Sequence, residues 1–153
     1  MTAKTVTGYE ARSRARRRAL QALYQWRLNS RAMSEIIAEF LEEQDFSNVD
    51  SEFFSDLCNG VIDRQKDLDE QLQIHIDRPI GRLDVMERVI LQIGLLELVT
   101  FPQTPARVII DECVDLAHRF GADQGHAFIN GVLDKVARTL RKSEALPGNS
   151  SAN

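Results

Sequence analysis

Residues 84–101 constrain this chain more than any other stretch. At about 100° per residue, Met86, Val89, Ile90, Ile93, Leu95, Leu96 and Leu98 cover most of the circumference of a helix. Such a helix needs neighbours on several sides, so it is expected at the centre of a bundle. Glu87, Arg88, Gln92 and Glu97 interrupt the run, which therefore falls short of the ~18 consecutive apolar residues of a membrane span. Glu97 lies close to the stripe of Met86, Ile90 and Ile93, and a carboxylate there needs an arginine or backbone donors.

Helical spacing recurs along nearly the whole chain, and strand alternation is hard to find. A first helix is expected over 11–29, with Ala15, Ala19, Ala22, Leu23 and Trp26 on one stripe. A second covers 32–44, with Ile36, Ile37, Phe40 and Leu41 as its apolar positions. Asp50 or Ser51 caps a third that turns Phe53, Phe54, Leu57, Cys58, Val61 and Ile62 inward. After a break within 64–67 the pattern resumes through Leu68, Leu72 and Ile76, and Arg78-Pro79-Ile80-Gly81 reads as punctuation.

Beyond the central helix, Pro105 is expected in the first turn of a sixth helix that buries Ile109, Cys113, Leu116 and Phe120. Gly121 is expected in the left-handed position that ends it. A last helix over 125–141 buries Ile129, Val132, Leu133, Val136 and Leu140. Residues 1–10 and 142–153 read as flexible tails. The expectation is an all-α domain over 11–141, about seven helices in two packed subdomains, one near 11–77 and one near 80–141. At 153 residues and 43% hydrophobic, the chain can bury a core without disulfides or metal.

Reactive groups do not converge. His75, His118 and His126 fall on different helices or helix starts without metal-ligand spacing. Cys58 and Cys113 sit inside apolar patterns and read as buried thiols of a reducing cytoplasm. No nucleophile elbow, phosphate-cradling glycine loop or HExxH is present, and Asp111, Glu112 and Asp115 read as a solvated helix face. The N-terminus has no apolar signal segment. A chain without catalytic activity, cofactor or metal, acting in the cytoplasm and away from membranes, is expected.

Charge is unevenly placed. Residues 1–31 carry eight basic side chains and one acidic, a charge of +7, against −11 for the remainder and −4 overall. A basic segment on an acidic body is the footprint of a polyanion partner. Arg14, Arg17 and Arg18 fall off the apolar stripe of the first helix, as does Tyr24. Arg12 and Arg16 continue its line and are expected to project past the edge of the core, because neither can be buried unpaired.

Four blocks then decide the kinship. They are Arg16-Arg17-Arg18-Ala-Leu-Gln-Ala-Leu-Tyr24-Gln-Trp26, preceded by Arg12 and Arg14; Val85-Met-Glu87-Arg-Val-Ile-Leu-Gln-Ile-Gly-Leu-Leu-Glu97-Leu; Pro105-Ala-Arg-Val-Ile-Ile-Asp111-Glu112-Cys-Val-Asp-Leu-Ala-His-Arg-Phe120-Gly121; and His126-Ala-Phe128-Ile-Asn130-Gly131-Val-Leu-Asp134. In this order and spacing the chain resembles the NusB family over roughly residues 11–141.

The resemblance implies two helical subdomains, the first carrying the arginine-rich motif. It also implies pairing with NusE, a ribosomal small-subunit protein, and binding of the pair to boxA RNA of ribosomal RNA operons. The assembly would join the RNA polymerase elongation complex with other Nus factors and suppress premature termination. Arg12, Arg14 and Arg16 match the family's basic positions, with Arg17 adjoining them, and Tyr24, Phe120 and Phe128 are candidates for contact with bases. Cations on phosphates with aromatic faces for bases are what a single strand requires. Phe120 also lies on a core stripe, where a structural role serves equally well. Phe128 lies near Lys135 and Thr139 at the border of the last helix's buried stripe.

Glu87 matches an acidic position at the NusE contact; read alone, it is an exposed helix glutamate. The chain departs from the family pattern at Ser13, Arg17, Arg18, Gln92, Leu96 and Gln124. Two other readings remain: the NusB-like domain of ribosomal RNA cytosine methyltransferases, whose S-adenosylmethionine-binding domain is missing here, and a helical protein-interaction module. A homodimer that covers Glu87 and the first helix is a further possibility.

Overall fold

The computed structural model describes residues 8–144 and 146, which form seven α-helices and one short 3-10 turn, with no strand among the described residues. The chain divides into two units, one ending at Arg64 and the other beginning at Gln65.

In the first unit, α1 (Gly8–Asn29), α2 (Met33–Glu43) and α3 (Ser51–Asp63) each pack against the other two. Ala15, Ala19 and Ala22 are fully buried, and their small side chains let neighbouring backbones approach α1 closely. Phe54 anchors the centre, stacked on Phe40 at 5.8 Å and meeting Phe46 edge-on at 5.0 Å, geometries that ring quadrupoles favour. Asp50 caps α3 by accepting from the Phe53 amide at 3.0 Å. Its own amide donates to the Ala11 carbonyl at 3.1 Å, which pins the start of α3 beside the start of α1. Leu41, expected inward, is exposed.

The second unit contains α4 (Gln65–Gln73), a 3-10 turn (Ile80–Arg82), α5 (Val85–Thr100), α6 (Ala106–Phe120) and α7 (Gly125–Leu140). Helix α5 packs on α4, α6 and α7, so every residue from Leu91 to Leu98 is buried, Gln92 and Glu97 included. Gly94 permits this crowding: a Cβ there would stand 2.8 Å from Leu133 Cδ1 and 3.0 Å from Cys113 Sγ. The boundary between units falls at Arg64 rather than within 77–80, because α4 is tied to α5. Leu68 and Leu72 are buried, and Asp69 accepts from Arg88 at 2.6 Å and from Gln92 at 2.8 Å. The second of these bonds satisfies an otherwise costly buried amide.

Several local expectations change. Pro105 stands at the position just before α6 rather than in its first turn, and the Ala106 amide donates to Glu144 Oε1 at 2.8 Å. Arg141 is buried and donates to the carbonyls of Leu98 (3.1 Å), Phe101 (3.1 Å) and Thr104 (3.0 Å), while pairing with Glu144. Helix α1 therefore takes in Gly8–Glu10, and residues 142–144 are held beside α5 and α6, so these parts of the expected tails belong to the fold. The rest of both expected tails, 1–7, 145 and 147–153, lies outside the described residues.

Gly121 is extended (φ −93°, ψ 176°), not left-handed; a Cβ there would meet the Ala117 carbonyl oxygen at 2.8 Å, which explains the glycine. The left-handed residue of that turn is Gln124 (φ 70°). Glu112 is buried, so the expected carboxylate face of α6 is reduced to Asp111 and Asp115. Leu140, expected in the core, is 41% exposed. Among the described residues no helix is long and apolar enough to cross a membrane.

Candidate nucleic-acid interface

The arginines of α1 divide by how their own unit engages them. Arg12 is half-buried, its guanidinium 4.4 Å from the Phe53 ring centre and 3.6 Å from Asp50 Oδ2. Arg18 donates to the Asp45 carbonyl at 3.1 Å and lies 4.9 Å over the Phe46 ring. Arg16 overturns the expectation that it projects past the core: it is only 2% exposed, with its guanidinium 5.1 Å from the Phe53 ring. The bond from Asp50 to Ala11 brings the first turn of α3 over this face of α1, so Phe53 and its neighbours close around Arg16. Arg14 and Arg17 are half-buried, and one shielded nitrogen of each, Arg14 Nη1 and Arg17 Nε, has no hydrogen-bond partner among the described residues. Both side chains nevertheless stay partly exposed, and an arginine fork that reaches solvent suits an anionic oxygen.

Tyr24 is half-buried on the same helix. Helix α1 also carries Tyr9, 59% exposed, in the segment expected as a tail. An earlier helix start places this aromatic within one turn of Arg12.

In the second unit Phe128 is half-buried in the first turns of α7 and lines an open cavity of about 310 Å³. Arg78 lies 4.9 Å over its ring, and Lys135 lines the same cavity two helical turns further along. In the sequence Arg78 stands only in a chain break, and the periodicity of α7 says nothing about which distant cation covers its aromatic. Phe120 ends α6, half-buried, and Thr139 is exposed. The structure brings Phe128 and Lys135 to one cavity, which Phe120 does not line.

Glu87 is half-buried at the start of α5, not fully exposed. It lies against the beginning of α7, where a Cβ on Gly125 would stand 2.8 Å from Glu87 Oε2. Burial pushes its carboxyl above the usual glutamate range, helped by the negative charge of Asp84 and opposed by Arg78. A raised value means the folded chain holds this proton longer than the unfolded one, so the local stabilisation fades as pH rises through it. The Cys58 thiol is pushed up to about 12 by burial, which keeps it neutral and unreactive. Among the described residues no group of three His, Cys, Asp or Glu side chains is placed to hold a metal ion.

Comparisons with known proteins agree on one kinship. A model described as the NusB family matches residues 13–138. The transcription antitermination protein NusB of Alcanivorax borkumensis is 50% identical over 135 residues, covering 88% of this chain and 90% of its own length. The protein of the same name from Nitrosococcus oceani is 47% identical over 133 residues, covering 87% and 89%. Among solved structures, the solution structure of NusB from Aquifex aeolicus superposes with a TM-score of 0.73 at 26% identity, covering 95% of this chain and 99% of that one. A crystal structure of antitermination factors NusB and NusE in complex with dsRNA gives a TM-score of 0.72 at 24% identity over 86% and 96%, a likeness of fold. The chain belongs to the NusB family.

Proposed function

We propose that this chain is a transcription antitermination factor that binds boxA RNA of ribosomal RNA operons together with NusE and joins the RNA polymerase elongation complex with other Nus factors. The observation that carries the RNA part is the run of cations on α1, of which Arg12, Arg14 and Arg17 stay partly exposed, on a chain whose remaining part is acidic. The names of relatives at up to 50% identity, and the NusB–NusE complex with dsRNA as a neighbour in fold, support the same reading. Arg12, Arg14 and Arg17 hold phosphates, Tyr24 and Phe128 contact bases, and Glu87 meets NusE, all within one RNA-binding domain over 11–141. Arg16 is assigned to the core of the first unit, and Phe120 to the end of α6. The chain acts without catalysis, in the cytoplasm.

Titration of the full chain with boxA-like and scrambled RNA, with and without NusE, tests this directly. The account expects preference for boxA and tighter binding with NusE. Equal affinity for both RNAs, unchanged by NusE, contradicts it and favours a protein-interaction module.

A further inference from the structure

The cavity beside Phe128 has features that the α7 sequence alone does not explain. Gly131 stands in the middle of α7, where glycine destabilises a helix relative to alanine. Close packing does not require it: a Cβ at Gly131 would meet nothing within 4 Å, unlike one at Gly94 or Gly125. The missing side chain instead enlarges a cavity lined also by His75, Asp77, Arg78, Phe128 and Lys135, two cations against one carboxylate. Its volume of about 310 Å³ is at the small end of ligand sites, which run from about 300 to 1,000 Å³, and suits one nucleotide. The far wall is braced. Gln73 Nε2 donates to the Arg78 carbonyl at 2.8 Å, and Gln73 Oε1 accepts from the Ile80 amide at 2.8 Å, so one side chain shapes the loop that presents Arg78.

We propose that His75, Arg78, Phe128, Gly131 and Lys135 form a single-nucleotide subsite for RNA in the second unit, with a base on the Phe128 ring above the bare backbone of Gly131 and its phosphate between Arg78 and Lys135. The inference rests on the RNA-binding reading and adds residues to it. At 4.9 Å from the ring centre, Arg78 leaves no room for a base in between, so its guanidinium yields the ring face to the base and turns to the phosphate. Arg78 thus covers the ring when RNA is absent and becomes a phosphate ligand when it is present. Gln73 is a positioning residue.

Three full-length proteins, wild type, Gly131→Ala and Arg78→Gln, are titrated with a boxA-like single-stranded RNA at several salt concentrations and melted without RNA. Gly131→Ala is expected to melt higher, by about 1–4 °C, yet to bind RNA on the order of tenfold more weakly through loss of stacking. A purely structural role for the glycine cannot move stability and affinity in opposite directions. Arg78→Gln is expected to reduce the slope of log affinity against log salt by about 0.7, the contribution of one phosphate on a single strand. Wild-type binding with Gly131→Ala affinity undiminished, or with an unchanged Arg78→Gln slope, overturns the subsite while leaving the RNA-binding reading intact. No measurable binding by the wild type overturns that reading and the subsite with it.

Discussion

The arginines at the start of α1 and the lone pair of cations beside Phe128 make opposite uses of charge. Helix α1 is crowded with basic residues, but its own unit engages several of them: Arg16 in the core and Arg18 on the Asp45 carbonyl and the Phe46 ring, while Arg12, beside Asp50 and Phe53, stays partly exposed. The second unit is poor in such clusters, yet it gathers Arg78, Lys135 and an aromatic ring around a cavity floored by a glycine. Cation count along the sequence is therefore a poor measure of how many phosphates a region can hold. What matters is which charges the fold leaves available, and beside what.

The contrast is most easily broken by removing cations from α1. Replacing Arg12, Arg14 and Arg17 together with alanine should flatten the salt slope by about 2 and weaken RNA binding on the order of a hundredfold, with helicity by circular dichroism preserved. An unchanged slope would move the phosphate contacts elsewhere. Arg16→Ala sharpens the division within α1. It should cost about 2–3 kcal/mol of stability in chemical denaturation, by emptying a well-packed buried site, while the salt slope stays as in the wild type. Wild-type stability with a reduced slope would return Arg16 to the phosphate-binding set.

A smaller effect belongs to the second unit. Glu87→Lys should weaken NusE pairing by about 1–2 kcal/mol, with little change in binding of RNA alone, as read by calorimetry. Wild-type pairing would take Glu87 out of the contact. The smallest effect concerns the ends of α5 and α6, where Glu144 is held below the usual glutamate range by the Ala106 amide and then by Arg141. The unfolded chain takes up that proton first as pH falls, so the stabilisation is present above about pH 4.3 and is lost through the lowered folded value. Glu144→Gln should be slightly less stable than wild type near neutral pH, and the two should converge in acid. A constant offset at every pH would contradict that assignment.

Where structure follows from neighbouring residues, the sequence was legible. The Asp50 cap and the all-round burial of α5 depend on local spacing, and both match the expectation. Legibility failed where a distant element closes over a side chain. Helical period gives the direction in which Arg16 points but not that α3 covers it. The boundary at Arg64 depends on Asp69 reaching α5, and the glycine at 121 on one nearby carbonyl rather than on a positive φ. Arg78 was missed because the cation covering Phe128 comes from the far side of α5 and α6 in sequence.

The central claim is that RNA binding engages the cationic start of α1 and also the ring on α7. It is tested most directly by nuclear magnetic resonance of the full chain titrated with a single boxA-like RNA, following the Arg14 and Arg17 side-chain signals together with the Phe128 ring. The account predicts that all three shift with a common midpoint. Shifts confined to one unit, or separate midpoints for the two, would contradict it.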